Sequence, residues 1–378
     1  MRERDGVGTL DDIRASATKI TGLDDFGDDG YVEGLEVLLD SYANEAGLTP
    51  RGNAMKRAFL RGGLVARLLS EAGWKQHPSH ADVTIERPVF VTGLPRTGTT
   101  ALHRLLTADE SHQGLELWLT EVPQPRPPRE TWEDDPIFSG IQAGYSQHHV
   151  ENPEFIGIHY MAADMVEECW QLLRQSGTSI SYESLAHIPT YSAWLGKQDW
   201  TASYERHRRN LQLIGLNDQD RRWVLKNPSH LVALDALMRV YPDALVVQTH
   251  REPHTAVASA CSLSAEATRG WSTIFEGSVI GRAQLDLLSR SVERFAEERA
   301  KHDPAQFVDV QYDDFVADPV GTVADIYGRF DLPWTDDVRD RVDVLHQESR
   351  QGGRRPSHKY TLEEYGLTAE MVDERFTH

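Results

Sequence analysis

Apolar positions in the N-terminal stretch keep helical time. Leu35, Leu38, Leu39 and Tyr42 recur three or four apart, as do Phe59, Leu60, Leu64, Leu68 and Leu69, so the first 80 or so residues read as helices. The pattern changes at Pro88-Val-Phe-Val-Thr, an unbroken short run closed by Gly93 and followed by a helical stretch from Thr99 to about Thr107. A strand, a glycine-bearing turn and a helix in that order open an α/β unit. Further strands read at 223–226, 244–249 and 306–311, each followed by a helical run, at 231–240, 254–263 and 319–330. Strands alternating with helices predict a central parallel sheet flanked by helices on both faces. The long interval between the first two strands reads as an insertion. It begins with an extended segment carrying Pro123, Pro125, Pro127, Pro128 and Pro136, and turns helical over 137–174 and 204–216.

The whole chain, 1–378, therefore reads as one domain: a helical region over 1–85, a core over 88–120 and 220–330, and a helical insertion over 121–219. Its 39% hydrophobic and 26% charged residues are ordinary for a folded protein. The net charge of −20 argues against nucleic acid or an anionic membrane as partner. An anionic ligand then needs a local basic pocket inside a negative field. Cys169 and Cys261 are the two cysteines and sit in apolar stretches, which predicts buried thiols and excludes a disulfide framework. No apolar run reaches the length of a membrane span and no signal peptide is visible, so the expectation is a cytoplasmic protein that does not span a membrane.

The most informative stretch is Gly93-Leu-Pro-Arg96-Thr97-Gly98-Thr99-Thr100. Glycines at both ends let the backbone curl so that successive N–H groups converge on an anion, and the following helix adds its positive end. The Walker A loop shares the outer glycines but has a lysine where Thr99 stands, and here the cation, Arg96, is inside the loop. That substitution disfavours a kinase.

Pro-Arg-Thr-Gly-Thr-Thr resembles the 5′-phosphosulfate loop of sulfotransferases that use 3′-phosphoadenosine 5′-phosphosulfate (PAPS). The resemblance implies a P-loop-like three-layer α/β sandwich. It puts Arg96 on the phosphosulfate, with Thr97, Gly98, Thr99 and Thr100 around the 5′-phosphate. Ala101 stands where family members often carry an adenine-lining Trp, which leaves the adenine contact unassigned. Arg251, at the end of the third strand, and Ser259, eight residues on, match the pair that grips the 3′-phosphate. Trp223-Val-Leu-Lys226 matches the strand whose lysine reaches the sulfuryl group, and Tyr312 in Gln311-Tyr-Asp-Asp matches a nucleotide-contacting tyrosine. Arg354 corresponds loosely to the basic C-terminal loop that closes on the 3′-phosphate. The resemblance covers residues 88–120 and 220–330 well.

It implies metal-independent in-line transfer of a sulfuryl group from PAPS to an acceptor hydroxyl, releasing 3′,5′-ADP, with Arg96 and Lys226 supplying positive charge. A base must also take the hydroxyl proton. Many family members place a histidine two residues after the lysine, but here Pro228 fills that position. Glu116, 20 residues after Arg96, matches the glutamate that tyrosine-sulfating and related members use. Its rivals are Glu167 and Glu168 on the insertion, His159, and His230. Histidine spacings give no metal motif. Trp132, Phe138, Tyr145, Phe155, Tyr160 and Trp194 suit a small hydroxylated acceptor of apolar or lipid-like character, and equally suit a plain helical core. A P-loop kinase acting on a small molecule and a non-catalytic nucleotide-binding protein are the alternative functions.

Overall fold

A computed structural model of the chain describes residues 5–151, 160–351 and 360–376. Its centre is a five-stranded, all-parallel sheet of β1 (Val89–Gly93), β2 (His112–Gln113), β3 (Arg222–Lys226), β4 (Leu245–His250) and β5 (Phe307–Gln311), in the spatial order β2-β3-β1-β4-β5. Unbroken apolar runs suit such strands because both faces are covered. In β1, Phe90 joins the larger core with the N-terminal and insertion helices. Val89 and Val91 join a second core, with Leu102, Leu105 and Phe315, on the opposite face. Alternation along a strand thus divides one apolar run between two layers. β1 is paired on both sides, with Val91 opposite Lys226 and Gly93 opposite Thr249, and the chain leaves it for opposite halves of the sheet. Parallel α/β sheets bind ligands at the carboxyl ends of the strands where the order reverses. Gly93, Lys226 and Arg251 all stand at that edge of β1, β3 and β4.

The N-terminal region forms helices Leu10–Thr21, Val32–Asn44 and Pro50–Gln76. The first starts with a capping box between Thr9 and Asp12. Arg67, 1% exposed, fastens this region: its guanidinium donates to the carbonyls of Phe26, Asp28 and Gln175 and lies over the Tyr31 ring.

The structure bears out the α/β class and all four predicted strands. β2, two residues long, is an addition at the sheet edge. The insertion differs from its expected helix over 137–174. A helix runs Pro136–Glu151, and a single turn, Trp170–Leu173, comes later. Residues 160–169 are not helical: 163–165 turn, Val166 bridges Glu116, and the backbone pairs with 115–118, Leu117 donating to the Met165 carbonyl, Trp118 to Ala163 and Glu167 to Leu115. Pairing across the chain outweighed local helix propensity.

Arg67→Met would leave three carbonyls without their donor. It should cost about 3 kcal/mol or more in stability, since each buried polar group left unsatisfied costs about 1–3 kcal/mol. Denaturant unfolding checks this.

Candidate active site

The site is built where β1 stops. A Cβ on Gly93 would overlap the hydroxyl and carbonyl of Thr249, so the two strand ends touch as only glycine allows. The chain then turns through left-handed conformations at Arg96 (φ 71°) and Gly98 (φ 87°). Thr97 points inward, its hydroxyl donating to the Leu94 carbonyl at 2.7 Å and pairing with the Thr249 hydroxyl at 2.5 Å. Gly98 caps the helix Thr99–Leu106 with no side-chain hydrogen bond, so the first-turn N–H groups face the loop without a side-chain acceptor. Those groups and the helix dipole are oriented for an anion.

Arg96 and Arg251 meet over this loop. Arg251 donates to the Arg96 carbonyl at 2.8 Å, Arg96 Nε donates to Ser259 Oγ at 3.2 Å, and the Arg251 guanidinium lies 4.0 Å from the centre of the Tyr312 ring. Ser259 is buried on the helix Pro253–Ala267, and Tyr312 opens the helix Tyr312–Ala317 after β5. The Tyr312 and Phe315 rings close against Gly98, where a Cβ would come within 3.2–3.3 Å of them. Among the described residues, neither arginine has a carboxylate partner.

Lys226, 2% exposed, ends β3 and reaches back to the same helix, donating to Thr100 Oγ1 at 3.1 Å. It also forms an ion pair with Glu168, whose other oxygen accepts from the Asn227 amide at 3.0 Å. The Cys169 N–H donates to the Lys226 carbonyl, so the insertion is tied to β3 by backbone as well as by charge.

A family model described as the sulfotransferase family matches residues 88–336, which contain every one of these groups. The chain belongs to the sulfotransferase family. The crystal structure of sulfotransferase STF1 from Mycobacterium tuberculosis H37Rv is similar over 99% of both chains, with 61% identity and a TM-score of 0.93. Sulfotransferase STF9 from Mycobacterium avium is similar over 100% of this chain and 97% of its own, with 28% identity and a TM-score of 0.90. A relative in sequence is the omega-hydroxy-beta-dihydromenaquinone-9 sulfotransferase Stf3 of Mycobacterium bovis, 26% identical over 259 residues. That match takes in 66% of this chain and spans only 64% of the relative's length.

In this sulfotransferase the sequence-predicted groups fall into two sets. Arg96, Thr97, Gly98, Thr99, Thr100, Lys226, Arg251, Ser259 and Tyr312 come together at the carboxyl edge of the sheet. Glu116 goes elsewhere. It caps the short helix Leu117–Glu121, and its carboxylate accepts from Arg126 at 3.0 Å. Arg126 is 5% exposed and also binds Asp218, the Gln113 side chain and the Gly114 carbonyl. The carboxylate that meets Lys226 is Glu168. Spacing from Arg96 could not reveal this, because the pairing depends on how the turn at 163–165 and the Val166 bridge return the chain beside 115–118. Glu167 is buried, and one of its oxygens accepts the Glu168 N–H.

His230 is fully buried, with Nδ1 against the Tyr204 hydroxyl at 2.6 Å. Burial, with the neighbouring His207 and Lys226 charges, holds it well below the usual histidine range. His103 is likewise pushed down to about 3 by burial and by Lys226, so both rings stay neutral in the physiological range. His159, Phe155 and Arg354 lie outside the described residues. Trp132 and Phe138 turn into the core beside Trp118, with ring centres 5.4–5.9 Å apart. Tyr145 instead borders a surface hollow of about 430 Å³ with Glu121, Gly140, Ile141, Gly144 and His148. No described helix is long and apolar enough to cross a membrane, and no described group of three or more His, Cys, Asp or Glu residues is placed to hold a metal.

Gly98→Ala tests the loop. The left-handed conformation costs a non-glycine residue about 1–2 kcal/mol, and the new methyl would press on Tyr312 and Phe315. Thermal unfolding should show at least that loss.

Proposed function

We propose that the enzyme transfers a sulfuryl group from PAPS to the hydroxyl of an apolar acceptor, releasing 3′,5′-ADP. The observation that carries this reading is the pair of arginines without acid partners, Arg96 and Arg251, brought together at an uncapped helix N-terminus in a chain of net charge −20. Charged groups held this close to a fold's interior are ordinarily paired. Two unpaired ones at a helix start fit a ligand with two anionic ends. Arg96 and the backbone of 97–100 are assigned the 5′-phosphosulfate, and Arg251 with Ser259 the 3′-phosphate. Tyr312, packed under Arg251 and against Gly98, is assigned to the nucleotide side.

Transfer to the acceptor oxygen places negative charge on the leaving phosphate oxygen. Lys226 and Arg96 are the cations at hand to stabilise it. Glu168, paired with Lys226, is proposed as the base in place of Glu116, because it sits beside the cation that would face the sulfuryl group. Glu116 is tied into the Arg126 network. The insertion 121–219, which supplies Glu168, is proposed to hold the acceptor. Stf3 is named for omega-hydroxy-beta-dihydromenaquinone-9, which agrees in character with a hydroxyl on an apolar body.

Arg251→Ala should weaken 3′,5′-ADP binding by about 1.5–3 kcal/mol, the worth of a charged hydrogen bond. Unchanged calorimetric affinity would remove the 3′-phosphate assignment. Glu168→Gln keeps size and accepts no proton, so turnover should fall roughly 10²–10⁴-fold with 3′,5′-ADP affinity nearly unchanged. Glu116→Gln should act mainly on thermal stability, by weakening the buried Arg126 network. If Glu116→Gln abolishes turnover in a protein of normal stability while Glu168→Gln remains active, the base is Glu116. Activity lost to EDTA and restored by Mg²⁺ would favour the kinase alternative.

A further inference from the structure

Arg174 has no evident partner. It is 8% exposed, and its Nε is buried without a hydrogen-bond acceptor. Among the described residues no carboxylate pairs with it and no group accepts from its terminal nitrogens. Its one specific contact is the Trp170 ring, 5.3 Å from the guanidinium carbon to the ring centre. A buried, unpaired guanidinium is costly, and such a group calls for an explanation.

The surroundings supply one. Gln171, one helical turn before Arg174, is 5% exposed and has an unpartnered side-chain oxygen. That amide can present its N–H groups after a flip. Tyr182 is 3% exposed, and its hydroxyl also lacks a partner. Burial raises the Tyr182 hydroxyl above its ordinary range and the Arg174 charge opposes that rise. The same charge acts on Tyr145. On the far side the guanidinium lies against Gly62 of the helix Pro50–Gln76: a Cβ there would be in ordinary contact, at 3.6 Å, with both terminal nitrogens. Arg174, Gln171 and Tyr182 thus each carry a buried polar atom without a partner.

Arg174 also follows closely in the chain on the proposed reaction centre. Arg174 follows Glu168 by six residues, through a largely helical stretch worth roughly 9 Å of rise. Tyr145, within reach of its charge, borders the hollow along the helix Pro136–Glu151.

We propose that Arg174, with Tyr182 and Gln171, forms an oxyanion subsite of the acceptor pocket, so that the preferred acceptor carries a carboxylate or similar anion besides the hydroxyl that is sulfated. The inference deepens the proposed function and rests on it. Arg174 would pair with the anion through its planar fork, while Trp170 and Tyr145 flank an apolar or aromatic body.

The test is calorimetric titration of the full chain with 4-hydroxyphenylacetate and with its neutral amide, after saturation with 3′,5′-ADP to fill the donor site. The wild type should bind the acid at least tenfold more tightly than the amide. Arg174→Gln should abolish that preference while leaving 3′,5′-ADP affinity unchanged, and Arg174→Lys should retain part of it. Tyr182→Phe should reduce it severalfold. Equal affinity for acid and amide in the wild type overturns the subsite, as does a preference that survives in Arg174→Gln. Should Arg174→Gln fail to fold, the wild-type ratio and Arg174→Lys decide. Failure of 3′,5′-ADP to bind the wild type would count against the donor reading instead, and is seen in the first titration.

Discussion

The contact between the ends of β1 and β4 governs the site. With Gly93 pressed on the Thr249 hydroxyl and carbonyl, the chain cannot continue as a strand carrying side chains. It turns back through two left-handed residues, and Thr97 closes the turn on the same Thr249 hydroxyl. The helix that follows must then start at the sheet edge with its N–H groups turned to the loop. Because Arg251 lies two residues beyond Thr249, the same contact also delivers a guanidinium to the Arg96 carbonyl. One close approach sets the curl of the loop, the direction of the dipole and the place of the second cation.

Charge sorting then separates structural cations from those left open. The chain has 59 acidic residues against 39 lysines and arginines, so a partner is easily found where the fold needs one. Arg126 is held by Glu116 and Asp218, Arg206 by Glu71, and Arg299 by Asp309. The Arg299 and His250 contacts keep the Asp309 carboxyl well below the usual range. Against that background, two arginines at the same loop with no acid partner among the described residues stand apart. Lys226 is intermediate. Its acid, Glu168, comes from the insertion, so the cation nearest the proposed sulfuryl position is paired with the part of the chain proposed to hold the acceptor.

Much of this was legible in the sequence because it is local. The strand-loop-helix unit at 88–107, the lysine at the end of 223–226 and the Arg251–Ser259 spacing all lie within single βα units, where strand and helix geometry fix the distances. What escaped is non-local. Glu116 was favoured by its spacing from Arg96, yet spacing along a chain says nothing of Arg126, ten residues on, which captures its carboxylate. Glu168 fell within the helix expected over 137–174, whereas residues 163–167 turn and pair with 115–118. The aromatic residues of the insertion divide in the same way: Trp132 and Phe138 fill the core, and Tyr145 borders the open hollow. Periodicity cannot distinguish these outcomes, since each obeys the same apolar spacing.

Glu116 and Glu168 lie on two segments that run side by side, and their different surroundings show how the insertion divides labour. Glu116 and Arg126 close the side towards Gln113 and Asp218, fixing the start of the insertion to the sheet edge. Glu168 turns to Lys226, and six residues later Arg174 stands buried without an acid. The short stretch 168–174 therefore carries a carboxylate already matched to a cation of the core and a cation awaiting an anion. If the segment served only to pack the insertion, an acid would be expected to pair with Arg174, because a buried charge left uncompensated is destabilising. Glu168 instead reaches the strand end, and the guanidinium of Arg174 lies over the Trp170 ring with no carboxylate partner among the described residues. An anion from outside the chain would complete that arrangement. A molecule with a hydroxyl for Glu168 and an anion for Arg174 would do so at both ends.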